Sequence, residues 1–267
     1  NREFLDESKT QKILTLFPSS MVVFGEGEDA MLSIIKQKQP HTIPNLRFID
    51  QNTGNLVKTF YKRFDTNTYI APDINLPIVN NSALKLNETV SYVEVSRGCN
   101  KTPHCSFCRN SNTDLDSSWK ILNMDQVLVN VRNNAEKKPI AINFISEDFL
   151  GDSRHEVVNL IDELEQMKIN GIIDPKTNFY AAVRVHDIYD EKDSIEVCMY
   201  KINLLRKMRH IGFTTLFVGF ESGSRKQLAI YRKGSKPKEN LIAGMILKTL
   251  GFHVDGGFIM FDNLMNL

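Results

Sequence analysis

The chain lacks long apolar runs, any strong charge imbalance and all but a few cysteines. No stretch approaches the roughly 20 consecutive apolar residues that a membrane-spanning helix needs. No charged-then-apolar segment opens the sequence. Lys and Arg number 33 against 32 Asp and Glu, for a net charge of +1. Neither sign forms long runs, so bulk electrostatics indicate neither a nucleic-acid nor a membrane partner. Four cysteines in 267 residues are too few and too clustered for a secreted disulfide framework, and a reducing cytoplasm is the expected compartment. No internal repeat or low-complexity tract is visible. What is present is ordinary for a globular chain, 42% hydrophobic and 24% charged, enough for one large α/β domain or two smaller ones.

From about residue 90 onward, short β-rich runs alternate with amphipathic helical ones. The segment "ETVSYVEVSRG" (88–98) reads as a strand leading into the cysteines, "MDQVLVNVRNNAEKK" as a helix and "KPIAINFIS" as a buried strand. In "RHEVVNLIDELEQMKIN", Val157, Leu160, Ile161, Leu164 and Met167 recur at helical spacing. A strand "TNFYAAVRV" follows, then a helix "SIEVCMYKINLLRKMRHIG" ending at Gly212. A strand "FTTLFVGFES", a helix "KENLIAGMILKTLG" ending at Gly251 and a fifth strand "FHVDGGFIMF" complete the series. This alternation implies βαβ units around a parallel sheet. Periodicity alone fits a doubly wound sheet and a barrel-like one equally.

The first 45 residues read as a separate piece, with helices in "ESKTQKILTLF" and "EDAMLSIIKQKQ" on either side of a short strand "MVVF". Residues 46–84, rich in Asn and carrying Pro72 and Pro77, read as an extended connector. It includes a hairpin-like "RFIDQNTGNLVKTF" turning at 52–55. Residues 85–267 form the main α/β domain. Near the start, "GEGEDA" (25–30) matches a dinucleotide-binding pattern in its glycines. Its Glu26, Glu28 and Asp29 stand where a helix N-terminus would receive an anionic pyrophosphate, so a structural turn is expected instead.

Three of the four cysteines crowd into "EVSRGCNKTPHCSFCRN" (94–110). Three readings compete. Cys99, His104, Cys105 and Cys108 could form a Cys₃His zinc set. Cys105 and Cys108 could form a redox CxxC with Cys99 as a bystander. The three thiolates could instead hold an iron–sulfur cluster. Zinc is disfavoured because the side chains of neighbouring His104 and Cys105 point apart in an extended loop. A structural zinc site also draws its second ligand pair from another loop, and none is visible. Cys198, mid-helix among apolar residues, reads as a buried hydrophobe. If the metal is a four-iron cluster, the missing fourth thiolate leaves one iron open, able to take the amino and carboxylate groups of S-adenosylmethionine (SAM).

With its flanks, "SRGCNKTPHCSFC" resembles the cluster loop of the radical SAM superfamily, including the aromatic Phe107 before the last cysteine. The usual CxxxCxxC is lengthened here to Cys99-x₅-Cys105-x₂-Cys108. "AINFISEDFLG" resembles the second strand and its polar exit, "LFVGFESGSRKQLAIYRKGS" the fourth-strand segment, and "GGFIMFD" the fifth. "MVVFGEGEDAMLSII" and the proline-containing "DINLPIV" resemble the tail of a cobalamin-binding Rossmann-like domain and the connector that follows it in one large class. Most of such a domain, with any histidine ligand to cobalt, would precede Asn1, so cobalamin is an expectation from resemblance alone.

The resemblance implies a partial (βα)n barrel of about five units, short of the family's six and so read as truncated, preceded by a Rossmann-like remnant. It implies that Cys99, Cys105 and Cys108 hold a 4Fe-4S cluster that cleaves SAM reductively to a 5′-deoxyadenosyl radical. Backbone near Phe107 would contact adenine. Ser146, Glu147 and Asp148 would face the SAM amine, and Arg184 its carboxylate. Glu221 and Ser222 would accept from the ribose hydroxyls, while Gly257, Phe258 and Ile259 would lie beside adenine. Plainer roles stand beside these: a packing aromatic at Phe107, solvated acids at 146–148, a structural ion pair at Arg184 and core packing at 257–259. His104, His155 and His186 have no evident partner. An electron donor such as flavodoxin or ferredoxin is implied, with a substrate that the sequence does not name and a reaction ranging from methylation to rearrangement. The alternative is a zinc-binding structural module without catalysis.

Overall fold

The computed structural model describes residues 7–73, 90–108, 118–151 and 154–261. The connector motif "DINLPIV" lies outside them beyond Asp73. The chain divides into two compact units, one reaching Asp65 and the other beginning at Thr66.

In the first unit, α1 (Glu7–Leu16) precedes β1 (Met21–Val23), then come α2 (Glu28–Ile35) and a hairpin of β2 (Leu46–Ile49) and β3 (Leu56–Lys58). The three strands form an antiparallel sheet in the order β1-β2-β3. The hairpin expected within residues 47–60 is present and pairs with β1. Its turn is closed by Asp50, whose carboxylate accepts the Asn52 N–H at 2.8 Å, and by Gly54 at φ 69°, a left-handed conformation that glycine adopts at no steric cost. Ala30, Ile43, Leu46 and Phe48 make the core. The "GEGEDA" stretch is a structural turn, as expected. Glu26 accepts the Phe64 N–H at 2.8 Å and Asp29 pairs with Lys62 at 2.7 Å. The strand after α2 runs antiparallel to β1, whereas a dinucleotide site needs a parallel crossover.

In the second unit, β4 (Val90–Glu94) leads into a small ribbon of β5 (Ser96–Arg97) and β6 (Lys120–Ile121). Helix α3 (Met124–Ala135), β7 (Ala141–Ile145), α4 (Arg154–Ile169) and β8 (Asn178–Val183) follow. A single turn α5 (Val185–Ile188) and α6 (Ile195–Ile211) lead to β9 (Phe213–Glu221). Short α7 (Arg225–Ile230), α8 (Pro237–Thr249) and β10 (His253–Phe258) complete the described residues. Strands β4, β7, β8, β9 and β10 form one parallel sheet in that order. The order decides what periodicity could not. A doubly wound sheet reverses strand order at a switch point, whereas an unreversed order with right-handed crossovers puts every helix on one face. The sheet is a partial barrel.

Burial follows this geometry. On β4, Val93 is buried toward the helices while Tyr92 is 58% exposed on the opposite face. The expected stripe of α4, Val157, Leu160, Ile161, Leu164 and Met167, is wholly buried. Phe144, Phe149, Phe179 and Phe213 form an aromatic knot with ring centroids 5.2–5.8 Å apart, and truncating one such core ring to alanine costs about 3–5 kcal/mol. Helix α6 starts at Ser194, whose hydroxyl accepts the Val197 N–H, and stops at Gly212 with φ 110°. Cys198 departs from expectation: it is only half-buried. The packed stripe of α6 begins at Lys201 and continues through Leu205, Met208 and Ile211, and Cys198 lies in the turn before it.

Candidate active site

The cysteine loop leaves β5 at Gly98, whose φ of 85° turns the chain and whose N–H donates to the Glu147 carboxylate at 3.1 Å. Its far end is tied to the C-terminus of α7. The Ser106 N–H donates to the Tyr231 carbonyl at 2.9 Å and its hydroxyl to the Ile230 carbonyl at 3.0 Å. The Phe107 ring meets Tyr231 edge-on at 5.3 Å. Cys99, Cys105 and Cys108 are half-buried and none is in a disulfide. Burial pushes the Cys99 and Cys105 thiols up. A Lys101 backbone hydrogen bond and Arg184 oppose this at Cys99, and Lys233 and Lys101 oppose it at Cys105. The Cys108 N–H donates to the Cys105 carbonyl at 3.1 Å, and Cys105 is among the groups whose charge raises Cys99.

Behind the loop, the second strand's exit folds around Trp119. Its indole N–H donates to the Asp148 carbonyl at 2.7 Å. Gly151 has φ 45°, and a Cβ there would stand 2.1 Å from the Trp119 ring. Of the three exit residues named from sequence, only Glu147 faces solvent. Ser146 is buried, with its hydroxyl paired to Ser96 and accepting the Asp148 N–H. Asp148 is fully buried, and its carboxylate lies 2.7 Å from Arg184 Nε and accepts the Gly151 N–H at 3.2 Å.

Arg184 directly follows β8. It also pairs with Asp187 at 2.9 Å, and its backbone N–H donates to the same carboxylate at 2.8 Å. One guanidinium thus serves two buried carboxylates. Burial, reinforced by Asp187 and opposed by Arg184, pushes the Asp148 carboxyl up to about 8.

At the end of β9, Glu221 has φ 64°, an uncommon conformation for a side chain other than glycine. Its carboxylate pairs with Lys233 at 3.1 Å. Gly219 makes room for both: a Cβ there would lie 2.5 Å from Glu221 Oε1 and 3.0 Å from Lys233 Nζ. The Ile259 N–H donates to the Glu221 carbonyl at 3.0 Å, and the Ser222 hydroxyl accepts the Ser224 N–H at 3.1 Å. Gly257 sits where a Cβ would meet the Phe217 ring at 2.7 Å. Phe258 is 54% exposed and packs on Phe220.

The structure therefore brings Cys99 together with Asp148 and Arg184, and Cys105 with Glu221, at the C-terminal ends of parallel strands, where barrel sites gather. Sequence inspection assigned no role to Lys233, Lys101, Asp187 or Gly219. The "RKG" after the fourth-strand helix was the available signal for Lys233. Asp187 stands three residues after Arg184, at the N3 position of a capping box, and that spacing was the available signal for it.

No known protein-family model matches the chain. Its sequence is 26% identical over 264 residues to 4'-phospho-dehydrooxetanocin synthase of Priestia megaterium, covering 93% of this chain and 34% of that protein. The chain thus spans about a third of the length of the curated relative it matches. Its structure is similar to that of the cobalamin-dependent S-adenosylmethionine radical enzyme OxsB with aqua-cobalamin and S-adenosylmethionine bound. The TM-score is 0.81 at 24% identity, over 96% of this chain and 35% of that one. It is also similar to the radical S-adenosylmethionine methyltransferase TsrM of Kitasatospora setae with cobalamin and a 4Fe-4S cluster bound, at TM-score 0.64 and 14% identity over 91% of this chain and 47% of that one. The fold over this span is that of cobalamin-dependent radical SAM enzymes.

Proposed function

We propose that the second unit is the core of a radical SAM enzyme, with Cys99, Cys105 and Cys108 holding a 4Fe-4S cluster. The observation that carries this is the spacing of the thiols. Three cysteines outside any disulfide lie on one anchored loop, yet together with His104 they are not gathered to the spacing of a single ion. Among the described residues, the group of three potential ligands within 4.8 Å of one another is a different one. Thiolates that each hold a separate iron of a cluster fit wider spacing, whereas tetrahedral zinc pulls its ligands onto one centre.

When bound, the cluster supplies the electron that cleaves SAM to a 5′-deoxyadenosyl radical for hydrogen abstraction. The chain's own residues do the positioning. Arg184 at Cys99, and Lys233 and Lys101 at Cys105, oppose the burial that pushes those two thiols up. Exposed Glu147 is placed to accept from the SAM amine, as a carboxylate does from a cation, while Asp148 and Asp187 hold Arg184 toward the SAM carboxylate. Glu221 and Ser222 stand at the fourth strand's end as acceptors for the ribose hydroxyls. Gly257, Ile259 and the backbone by Phe107 offer an apolar, close-approach surface to adenine.

The first unit, with residues 1–45 as the tail of a cobalamin-type Rossmann-like domain, supports cobalamin-dependent methylation or rearrangement as the reaction class. The match to the Priestia megaterium synthase runs over too much of the chain to be confined to the second unit. No helix among the described residues is long and apolar enough to cross a membrane. We take the protein to work in a reducing cytoplasm with a flavodoxin- or ferredoxin-type electron donor.

The test uses the full-length protein, purified and reconstituted without oxygen. A brown protein whose reduced four-iron EPR signal is perturbed by SAM, and which releases 5′-deoxyadenosine, is expected. Cys105→Ala is expected to abolish the product. A colourless protein whose zinc is lost in Cys105→Ala, with no response to SAM, would replace this assignment with a structural zinc clip.

A further inference from the structure

We propose that His186, Asp190 and Glu239 form a second metal site, one that takes a single divalent cation of the Mn²⁺ or Zn²⁺ kind. One ligand atom from each lies within 4.8 Å of the others. His186 comes from α5, Asp190 from the loop behind it, and Glu239 from the first turn of α8. His186 Nε2 is 3.6 Å from a Glu239 oxygen, and Nδ1 is 3.9 Å from an Asp190 oxygen. Both gaps exceed the roughly 3.2 Å reach of a nitrogen–oxygen hydrogen bond. Nε2 is nevertheless sealed from solvent with no hydrogen-bond partner, a state that buried polar groups rarely hold. The two gaps lie on different ring nitrogens, so a single cation uses one of them: at about 2.0–2.2 Å from each donor it fits the 3.6 Å gap between Nε2 and Glu239, with one atom of each of the three residues within 4.8 Å of the others.

The surroundings hold the ligands for that purpose. One Glu239 oxygen accepts the Glu191 N–H at 3.1 Å and the other the Lys236 N–H at 2.7 Å, so the carboxylate is fixed and keeps a lone pair on each oxygen. Such outer contacts orient metal ligands. The nearby ammonium groups are engaged elsewhere: Lys236 with Glu191, Lys201 with Asp193 and the His186 carbonyl, and Lys101 with the Pro103 carbonyl. A metal-bound imidazole is neutral, so with two carboxylates the ligand set brings a charge of about −2, which a divalent ion neutralises. One nitrogen and two oxygens suit Mn²⁺, Fe²⁺ or Zn²⁺ and lack the soft sulfur that selects Cu(I). Bound there, the ion ties α5, which begins beside Arg184, to the start of α8.

The assignment does not depend on the cysteine loop, and its test keeps the two apart. Cluster-loaded full-length protein, stripped of loose metal, is titrated with Mn²⁺, which thiolates bind poorly, and free Mn²⁺ is read by EPR. One tightly bound Mn²⁺ per chain is expected, with pulsed-EPR coupling to a single imidazole nitrogen. His186→Ala and Asp190→Asn are expected to weaken binding at least tenfold with iron content and circular dichroism unchanged. Glu239 is left intact because it caps α8. No Mn²⁺ binding, binding that both variants retain, or binding without nitrogen coupling would each overturn the site.

Discussion

Lys233 Nζ lies 3.1 Å from Glu221 Oε1, and the pair occupies the space where Gly219 lacks a side chain. Gly219→Ala would push a methyl group to 2.5 Å from that oxygen, so the pair must move. Glu221 is already in an uncommon backbone conformation, which surrounding contacts must maintain. SAM affinity of the cluster-loaded protein, measured by equilibrium dialysis, is expected to fall at least tenfold in Gly219→Ala. Lys233→Met should show a similar loss and Lys233→Arg a partial one. Unchanged affinity in both Gly219→Ala and Lys233→Met would remove the pair from the binding site.

The Asp148 carboxyl, raised to about 8 by burial against an ordinary value of 3.8, makes stability pH-dependent with a defined sign. Between those values the folded chain holds a proton that the unfolded chain has lost, so the unfolding free energy falls as pH rises. The stabilising contribution is complete below about pH 4 and is lost as the pH climbs through about 8. Urea midpoints taken from about pH 5.5 to about pH 8.5 should decline in the natural protein and decline less in Asp148→Asn. Parallel profiles would mean that Asp148 is ionised throughout.

Gly151 combines a left-handed φ of 45° with a Trp119 ring 2.1 Å from any added Cβ. Gly151→Ala therefore carries both backbone strain and overpacking, each worth about 1–3 kcal/mol. A loss of about 2–5 kcal/mol in unfolding free energy is expected from denaturant titration. A loss under about 0.5 kcal/mol, typical of an unconstrained surface site, would show that the exit turn adapts freely.

Tyr231 anchors the cysteine loop through its carbonyl to Ser106 and its ring to Phe107. Tyr231→Ala keeps the carbonyl and deletes the ring contact, worth about 0.5–1.5 kcal/mol beyond area burial. Iron retained after gel filtration should drop while far-ultraviolet circular dichroism stays constant. Full retention would assign loop anchoring to the Ser106 hydrogen bonds alone.

The parallel strands and their helices were legible because their signals are local. Val157 to Met167 repeat with the helix, and Ser194 and Gly212 mark the ends of α6 by capping chemistry that acts within one turn. The cysteine spacing was legible for the same reason, since a loop of ten residues carries its own donor set. Cys198 was misread because helical spacing places a residue on a stripe but does not say where along the helix packing begins.

What joins these pieces was not local. Arg184 was visible at the end of a strand, but its partner Asp148 comes from another strand's exit. Lys233 reaches Glu221 only because the chain after α7 returns to the end of β9, and His186 meets Glu239 only because α5 and α8 lie side by side. The amino-acid order alone determined the alternation of strands and helices, their ends and the three-thiol loop, because those depend on periodicity, capping and neighbours in the chain. The tertiary structure decided the unreversed strand order, and with it a barrel rather than a doubly wound sheet. It also decided which charges share one buried space, because Coulomb and desolvation energies depend on distance through space and on access to water, neither of which residue order specifies.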